Sequence, residues 1–418
     1  MRKIYLTLIL IVWPILWSLN RQDQSSIDSL QSALSGSQAM ERFEILSFLA
    51  AETKYINPHQ SRNYAQEALE IADRLHKQIP SRQHQDAIAA AHKHIAVSYS
   101  IQGNNEQALY HGNQALEILK SIGNPKNLTE IYNSLGIVYD QMGEMDQALD
   151  YSRQAEIWGK EWGDLDRLSG VYNNMGYVYQ TQGEYQTALV YYQLSLDLAM
   201  QIDSKEGIGY AYYNLAVVND YLGQFEESLR LFYLSLDLRE ALNNKYDISA
   251  SLNSIAIMYN KMGDTDKALE YHLKSSDLKK EIGHTIGLAN SYLNIGNIYS
   301  GRAQYEEARN YFEQAILLQE SSQDKRGLSK SYLYLADVFR KLNQWEAAET
   351  YYQKSLALKE SLGDQHGVAN LMISMAALSA DKGELSRASL LLKQSTSISE
   401  RIGAKELSKM AYKNISDI

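Results

Sequence analysis

Asparagines recur in this chain at a fixed distance. Asn133, Asn173 and Asn253 are separated by multiples of forty residues, and Asn174, Asn214 and Asn294 repeat that spacing one position later. A carboxamide offers two N–H donors and a carbonyl acceptor, so a row of them can pair with both polar groups of a polypeptide backbone. Asparagine also lowers helix stability by about a few tenths of a kcal/mol relative to alanine, so its repetition inside helical sequence needs a cause. Other reactive side chains do not assemble into a centre. His84, His92, His94 and His111 are the densest imidazoles, but His92 and His94 point to different sides of a helix and no carboxylate stands beside them at ligand spacing. The acidic pairs Glu226–Glu227 and Glu306–Glu307 open helices, where the positive end of the dipole favours them. The chain has no cysteine, phosphate-cradling glycine loop, HExxH or GxSxG. No catalytic residue, metal site or cofactor is expected.

The elements that position the asparagines follow from composition and spacing. With 418 residues the chain exceeds a single compact core, and its four prolines, Pro14, Pro58, Pro80 and Pro125, leave everything after Pro125 free for uninterrupted helices. A formal charge of −10 argues against a nucleic-acid partner, because phosphate binding needs clustered Lys and Arg. Arg2 and Lys3 precede the apolar run Ile4 to Trp17, which is short for a membrane span and suited to a signal-peptide core. Export is therefore expected, to the periplasm or to an outward-facing membrane anchor. The following "WSLNRQDQ" offers no clear small-x-small cleavage site, so an uncleaved anchor stays open and would be the only contact with a membrane.

Written in rows of forty, the sequence aligns without gaps from about residue 88. One column is always alanine or glycine: Ala96, Gly136, Gly176, Ala216, Ala256, Gly296, Ala336, Ala376. Seven residues on, Gly103, Gly143, Gly183, Gly223, Gly263, Ala303, Asn343 and Gly383 mark a turn with left-handed backbone. A second turn falls at Gly123, Gly163, Gly283, Gly363 and Gly403. Columns of Ala and Ser begin at Ala108 and Ala115, and apolar residues between them keep helical spacing. Each unit is predicted to be two antiparallel helices. Small residues allow close approach, and Tyr139, Tyr179, Tyr259, Tyr299 and Phe339 fill the gaps beside them.

"YNNMGYVYQTQGEYQTALVYYQLSLDL" resembles the tetratricopeptide repeat almost column for column, and the pattern recurs through eight units. The period is longer than the common form and the proline that usually ends the second helix is missing, as in the variants of kinesin light chains and bacterial peptide-responsive regulators. The resemblance implies an all-α fold, a right-handed α–α superhelix whose first helices line a concave face. The division expected is 1–20, a signal peptide or anchor; 21–87, a helical region with one degenerate repeat opening near Met40; 88–407, eight repeats; and 408–418, the start of an incomplete repeat.

In families of this kind the asparagine positions face the groove. The resemblance implies a site for a peptide or protein segment formed by Asn133, Asn173, Asn174, Asn214, Asn253 and Asn294, with Tyr177, Gln180, Tyr210, Tyr213, Asn290, Asn297, Lys330 and Arg340 one turn away. A bridge between adjacent repeats is the competing use of the same amides; their paired donor and acceptor favours the ligand track. Most of the 31 tyrosines occupy packing columns. The basic set that clamps a C-terminal carboxylate in chaperone-binding relatives is not present, Lys330 being an isolated match. The expected function is a non-catalytic interaction scaffold. The alternative is the extracytoplasmic sensor region of a bacterial histidine kinase or regulator, which the opening "IDSLQSALSGSQAMERFEILSFLAAE" resembles, with an output module beyond residue 418.

Overall fold

A computed structural model describes residues 24–34, 36–37 and 39–416, so the apolar run Ile4 to Trp17 and its cleavage lie outside the described residues. All regular structure among the described residues is helical. The order is α1 (Gln24–Leu34), α2 (Ala39–Thr53), α3 (Pro58–Gln78), α4 (Arg82–Ile101), α5 (Asn105–Ile122), α6 (Pro125–Gln141), α7 (Met145–Trp162), α8 (Leu165–Thr181), α9 (Tyr185–Gln201) and α10 (Lys205–Tyr221). It continues with α11 (Phe225–Ala241), α12 (Lys245–Lys261), α13 (Thr265–Glu281), α14 (Thr285–Gly301), α15 (Tyr305–Ser321), α16 (Lys325–Lys341), α17 (Trp345–Ser361), α18 (Gln365–Asp381), α19 (Leu385–Arg401) and α20 (Lys405–Ser416). From α4 onward, even-numbered helices are the first of a repeat and odd-numbered ones the second.

Local chemistry explains both ends of these helices. Asp164, Ser204, Asn244, Asp324 and Asp364 precede first helices and accept a hydrogen bond from the amide three residues on, satisfying one of the free donors there. The turn column is left-handed throughout, and it holds that conformation even where glycine is replaced: φ is +58° at Ala303 and +57° at Asn343. The same is true of the second turn, where Asp203, Asn243 and Gln323 take φ values of +52°, +51° and +56°. Backbone geometry is thus imposed by the helix pair, and glycine only lowers its cost.

Within a repeat the small columns are fully buried: Ala108, Ala148, Ala188, Ser228, Ala268, Ala308, Ala348 and Ala388 are each 0% exposed. Gly176 shows why size is limited, since a Cβ there would stand 2.8 Å from the ring of Tyr192, itself completely buried. Gly296 meets Phe312 in the same way, at 2.5 Å. Large rings beside small residues give the interlocking that dense interiors require. A second file of aromatic pairs joins first to second helix: Tyr139–Tyr151, Tyr179–Tyr191, Tyr299–Tyr311 and Phe339–Tyr351, with ring centroids 4.9 to 5.5 Å apart.

The chain divides into two compact units at Met262 and Gly263. In the first, α2 contacts α4, α4 contacts α6, α6 contacts α8 and α8 contacts α10; in the second, α14, α16, α18 and α20 are joined likewise. Within each unit, second helices touch the first helices beside them without comparable contact to one another. Rods on the inside of a bend lie closer than those outside, so first helices form the inner wall of each unit.

Candidate functional site

The inner wall is built from side chains that the helical repeat stacks above one another. Asn174 donates through Nδ2 to Oδ1 of Asn133 at 2.9 Å, and Asn214 donates in the same way to Asn173 at 2.8 Å. These bonds link α6 to α8 and α8 to α10. They connect residues 41 apart, one more than the period, because adjacent first helices are offset by about one residue. The same offset joins Ser100 to Gln141, Thr181 to Asp140, Tyr213 to Ser254, Lys261 to Asp220 and Arg340 to Asp381, at 2.6 to 3.1 Å. Asn133, Asn173, Asn174 and Asn214 therefore bridge repeats. Each bond uses part of an amide's capacity and leaves other donors and lone pairs on a half-buried group. Asn253 and Asn294 are half-buried on α12 and α14.

Tyr210 and Tyr213 gather around a residue that the sequence reading missed. Arg239 of α11 is 4% exposed, with its guanidinium 4.5 Å from the centre of the Tyr213 ring and 5.4 Å from that of Tyr210. It donates to the Asp247 carbonyl at 3.0 Å and to Ser251 Oγ at 2.7 Å. Tyr210 donates to the Asp247 carboxylate at 2.9 Å, and burial followed by that carboxylate raises its phenol pKa. A signal for Arg239 existed: its column reads Leu119, Gly159, Ala199, then Arg239, Lys279, Gln319 and Lys359, a change from apolar to polar at an interior position.

The remaining candidates are dispersed. Tyr177 is 48% exposed on the inner wall. Gln180 accepts from the hydroxyl of Tyr192 at 2.9 Å. Asn290, Asn297 and Lys330 are exposed in the second unit. Between α8 and α10 the wall opens into a cavity of about 230 Å³ bordered by Asp166, Asn173, Glu206 and Tyr210. Next to it Glu130 is held between Lys93 and Arg167; burial alone would raise its pKa, but the two cations outweigh burial and hold it at about 2.

The histidines fall into the packing scheme. His111 occupies the aromatic column and stacks on Tyr99 with centroids 5.9 Å apart, and its Nδ1 lies 2.8 Å from Nδ1 of His92. Burial and then His92 lower the His111 pKa to about 4, while burial lowers that of His94 to about 3. Among the described residues no three His, Asp or Glu side chains are arranged to hold a metal ion, and no helix is long and apolar enough to cross a membrane.

Comparison with known proteins adds the family. The tetratricopeptide repeat profile matches residues 86–156, 167–241, 247–321 and 328–401. Among solved structures the chain is similar to the apo form of the quorum sensor NprR from B. thuringiensis, at 16% identity and a TM-score of 0.60 over 86% of this chain and 99% of that one. It is also similar to the STAND protein PH0952 from Pyrococcus horikoshii, which has a tetratricopeptide repeat sensor, at 15% identity and 0.58 over 90% and 62%. A Rap protein complexed with competence and sporulation factor aligns at 18% identity and 0.52 over 81% and 97%. These likenesses are of fold. Among curated proteins none matches the sequence. With its helix pairs, turn columns and sequence profile in agreement over well more than half its length, the chain belongs to the tetratricopeptide repeat family.

Proposed function

We propose that this protein is a non-catalytic scaffold that holds a peptide or protein segment against the inner walls of its first helices. The observation that carries the reading is the opening between α8 and α10, where amide, phenol and carboxylate groups border unfilled space on the inner wall. Backbone recognition needs donors and acceptors at intervals: Asn173 borders that opening and is bonded to Asn214, and the Asn133–Asn174 pair adds a further set on α6 and α8. The likeness to a Rap protein solved with a bound factor supports a peptide or protein as partner.

Replacing Asn174, Asn214 and Asn294 together with alanine tests the reading. Affinity capture on the intact chain, followed by mass spectrometry, is expected to yield a partner whose retention falls at least tenfold in the triple variant while helicity is kept. Equal retention would assign the amides to the scaffold alone.

A second reading makes the repeats the sensing region of a signalling protein. It is favoured by the likeness to a quorum sensor and to a tetratricopeptide repeat sensor. The basic and apolar opening of the chain supports export, with the repeats outside the cytoplasm.

A further inference from the structure

The turn between α2 and α3 departs from the pattern of the other turns. Tyr55, in this turn, reaches the inner wall of the first unit and stacks on Tyr246 of α12, with ring centroids 5.8 Å apart and planes inclined by 19°. The same ring forms one side of a cavity of about 140 Å³ between α4 and α6, whose other sides include Val97, Ile101, Ser134, Ile137 and Val138. One side chain thus covers an aliphatic pocket and clasps a helix far along the chain.

We propose that Tyr55 is an intramolecular stand-in for a partner's aromatic side chain. The pocket between α4 and α6 is a subsite for an apolar ring; Tyr55 shields it in the free protein, and a segment lying on the inner wall displaces Tyr55 and inserts a ring of its own. Three features support this. The pocket is aliphatic where the neighbouring opening at Asp166 and Glu206 is acidic, so it selects apolar groups. Tyr55 as a whole residue remains 43% exposed, so it is not part of the buried core. It also rides on a short turn between helices, the kind of element that opens without unfolding its neighbours. That the displacing group belongs to a polypeptide rests on the groove reading above; the clasp and the subsite do not.

The absence of cysteine from the chain makes a clean test possible. Ser134→Cys places a single thiol in the pocket, and the exposed Gln353→Cys serves as control. Labelling with fluorescein maleimide is expected to quicken about two- to tenfold at Ser134→Cys when Tyr55→Ala or Tyr246→Ala is added, the range a single aromatic stack supports. Tyr55→Phe should retain the original rate, and Gln353→Cys should label equally in every background. In the Tyr55→Ala chain, N-acetyl-tyrosinamide should slow labelling at Ser134→Cys and N-acetyl-glutaminamide should not. Unchanged rates on loss of Tyr55 would overturn the clasp, and no protection by the tyrosine amide would overturn the subsite. If both hold while the triple asparagine variant keeps its partner, the asparagine groove reading falls and the subsite stands.

Discussion

The two units use one frame and line it with different side chains. Where the first unit places Asp166 and Glu206 on its inner wall, the same repeat position in the second holds Ile286, Arg326, His366 and Glu406; where the first has Gly170 and Tyr210, the second has Asn290 and the exposed Lys330. The buried column differs as well. Arg239 in the first unit is enclosed by two tyrosine rings, a carbonyl and a hydroxyl. In the second, Lys359 has Asp364 at 3.4 Å, whereas Lys279, 6% exposed, donates to Ser291 at 2.8 Å and has no carboxylate partner among the described residues; His284 stands where the next repeats have Asp324 and Asp364. Small residues and large rings fix the scaffold in both units, so the wall is free to vary its chemistry from one repeat to the next.

The sharpest challenge to a shared frame is to remove its keystones. Tyr192→Ala in the first unit and Phe312→Ala in the second are each expected to lower unfolding free energy by about 3–5 kcal/mol in urea titrations. A large loss in only one unit would show that the packing columns are not equivalent.

The buried cations should respond in opposite directions. Arg239→Met strands the Tyr210–Asp247 network and is expected to destabilise by about 2–3 kcal/mol. Lys279→Met removes an ammonium that has no carboxylate partner among the described residues and is expected to be neutral or stabilising. Burial lowers the Lys279 pKa from 10.5 to about 8. Below pH 8 both folded and unfolded chains carry the proton and the full cost of burying the charge is present. Between 8 and 10.5 the unfolded chain binds more protons, so stability attributable to Lys279 rises with pH and the cost disappears above that window. The difference between wild type and Lys279→Met, followed from pH 7 to 10, should shrink; a constant difference would show that the ammonium is solvated.

The smallest effect belongs to the amide bridges. A double-mutant cycle on Asn133 and Asn174 should give a coupling of about 1 kcal/mol, the net worth of one hydrogen bond. A coupling near zero would free both amides for a partner and sharpen the contrast between wall and scaffold.

Much of the frame is legible in the sequence because each position is written eight times. Ala303 and Asn343 could be read as left-handed turn residues only because glycine fills their column elsewhere, and Gly176 as a contact point only because Ala216 and Gly296 share its place. The site was less legible. Rows of forty set Asn133 above Asn173, yet Asn174 donates to Asn133 and Asn214 to Asn173, since the offset between neighbouring first helices is a matter of packing. Arg239 left a trace as a polar entry in an apolar column, but its pairing with Tyr210 and Tyr213 left none. Tyr55 lies in a degenerate unit with no column to compare.

The sequence by itself determined the helix pairs, their turns and their buried faces, because periodicity and residue size act within a few residues or between identical neighbours. Tertiary structure alone decided which amides meet, which cation is left without a carboxylate and which ring crosses to another helix. Those outcomes depend on fractions of a helical turn and on residues far apart in the chain, and no local rule carries that information.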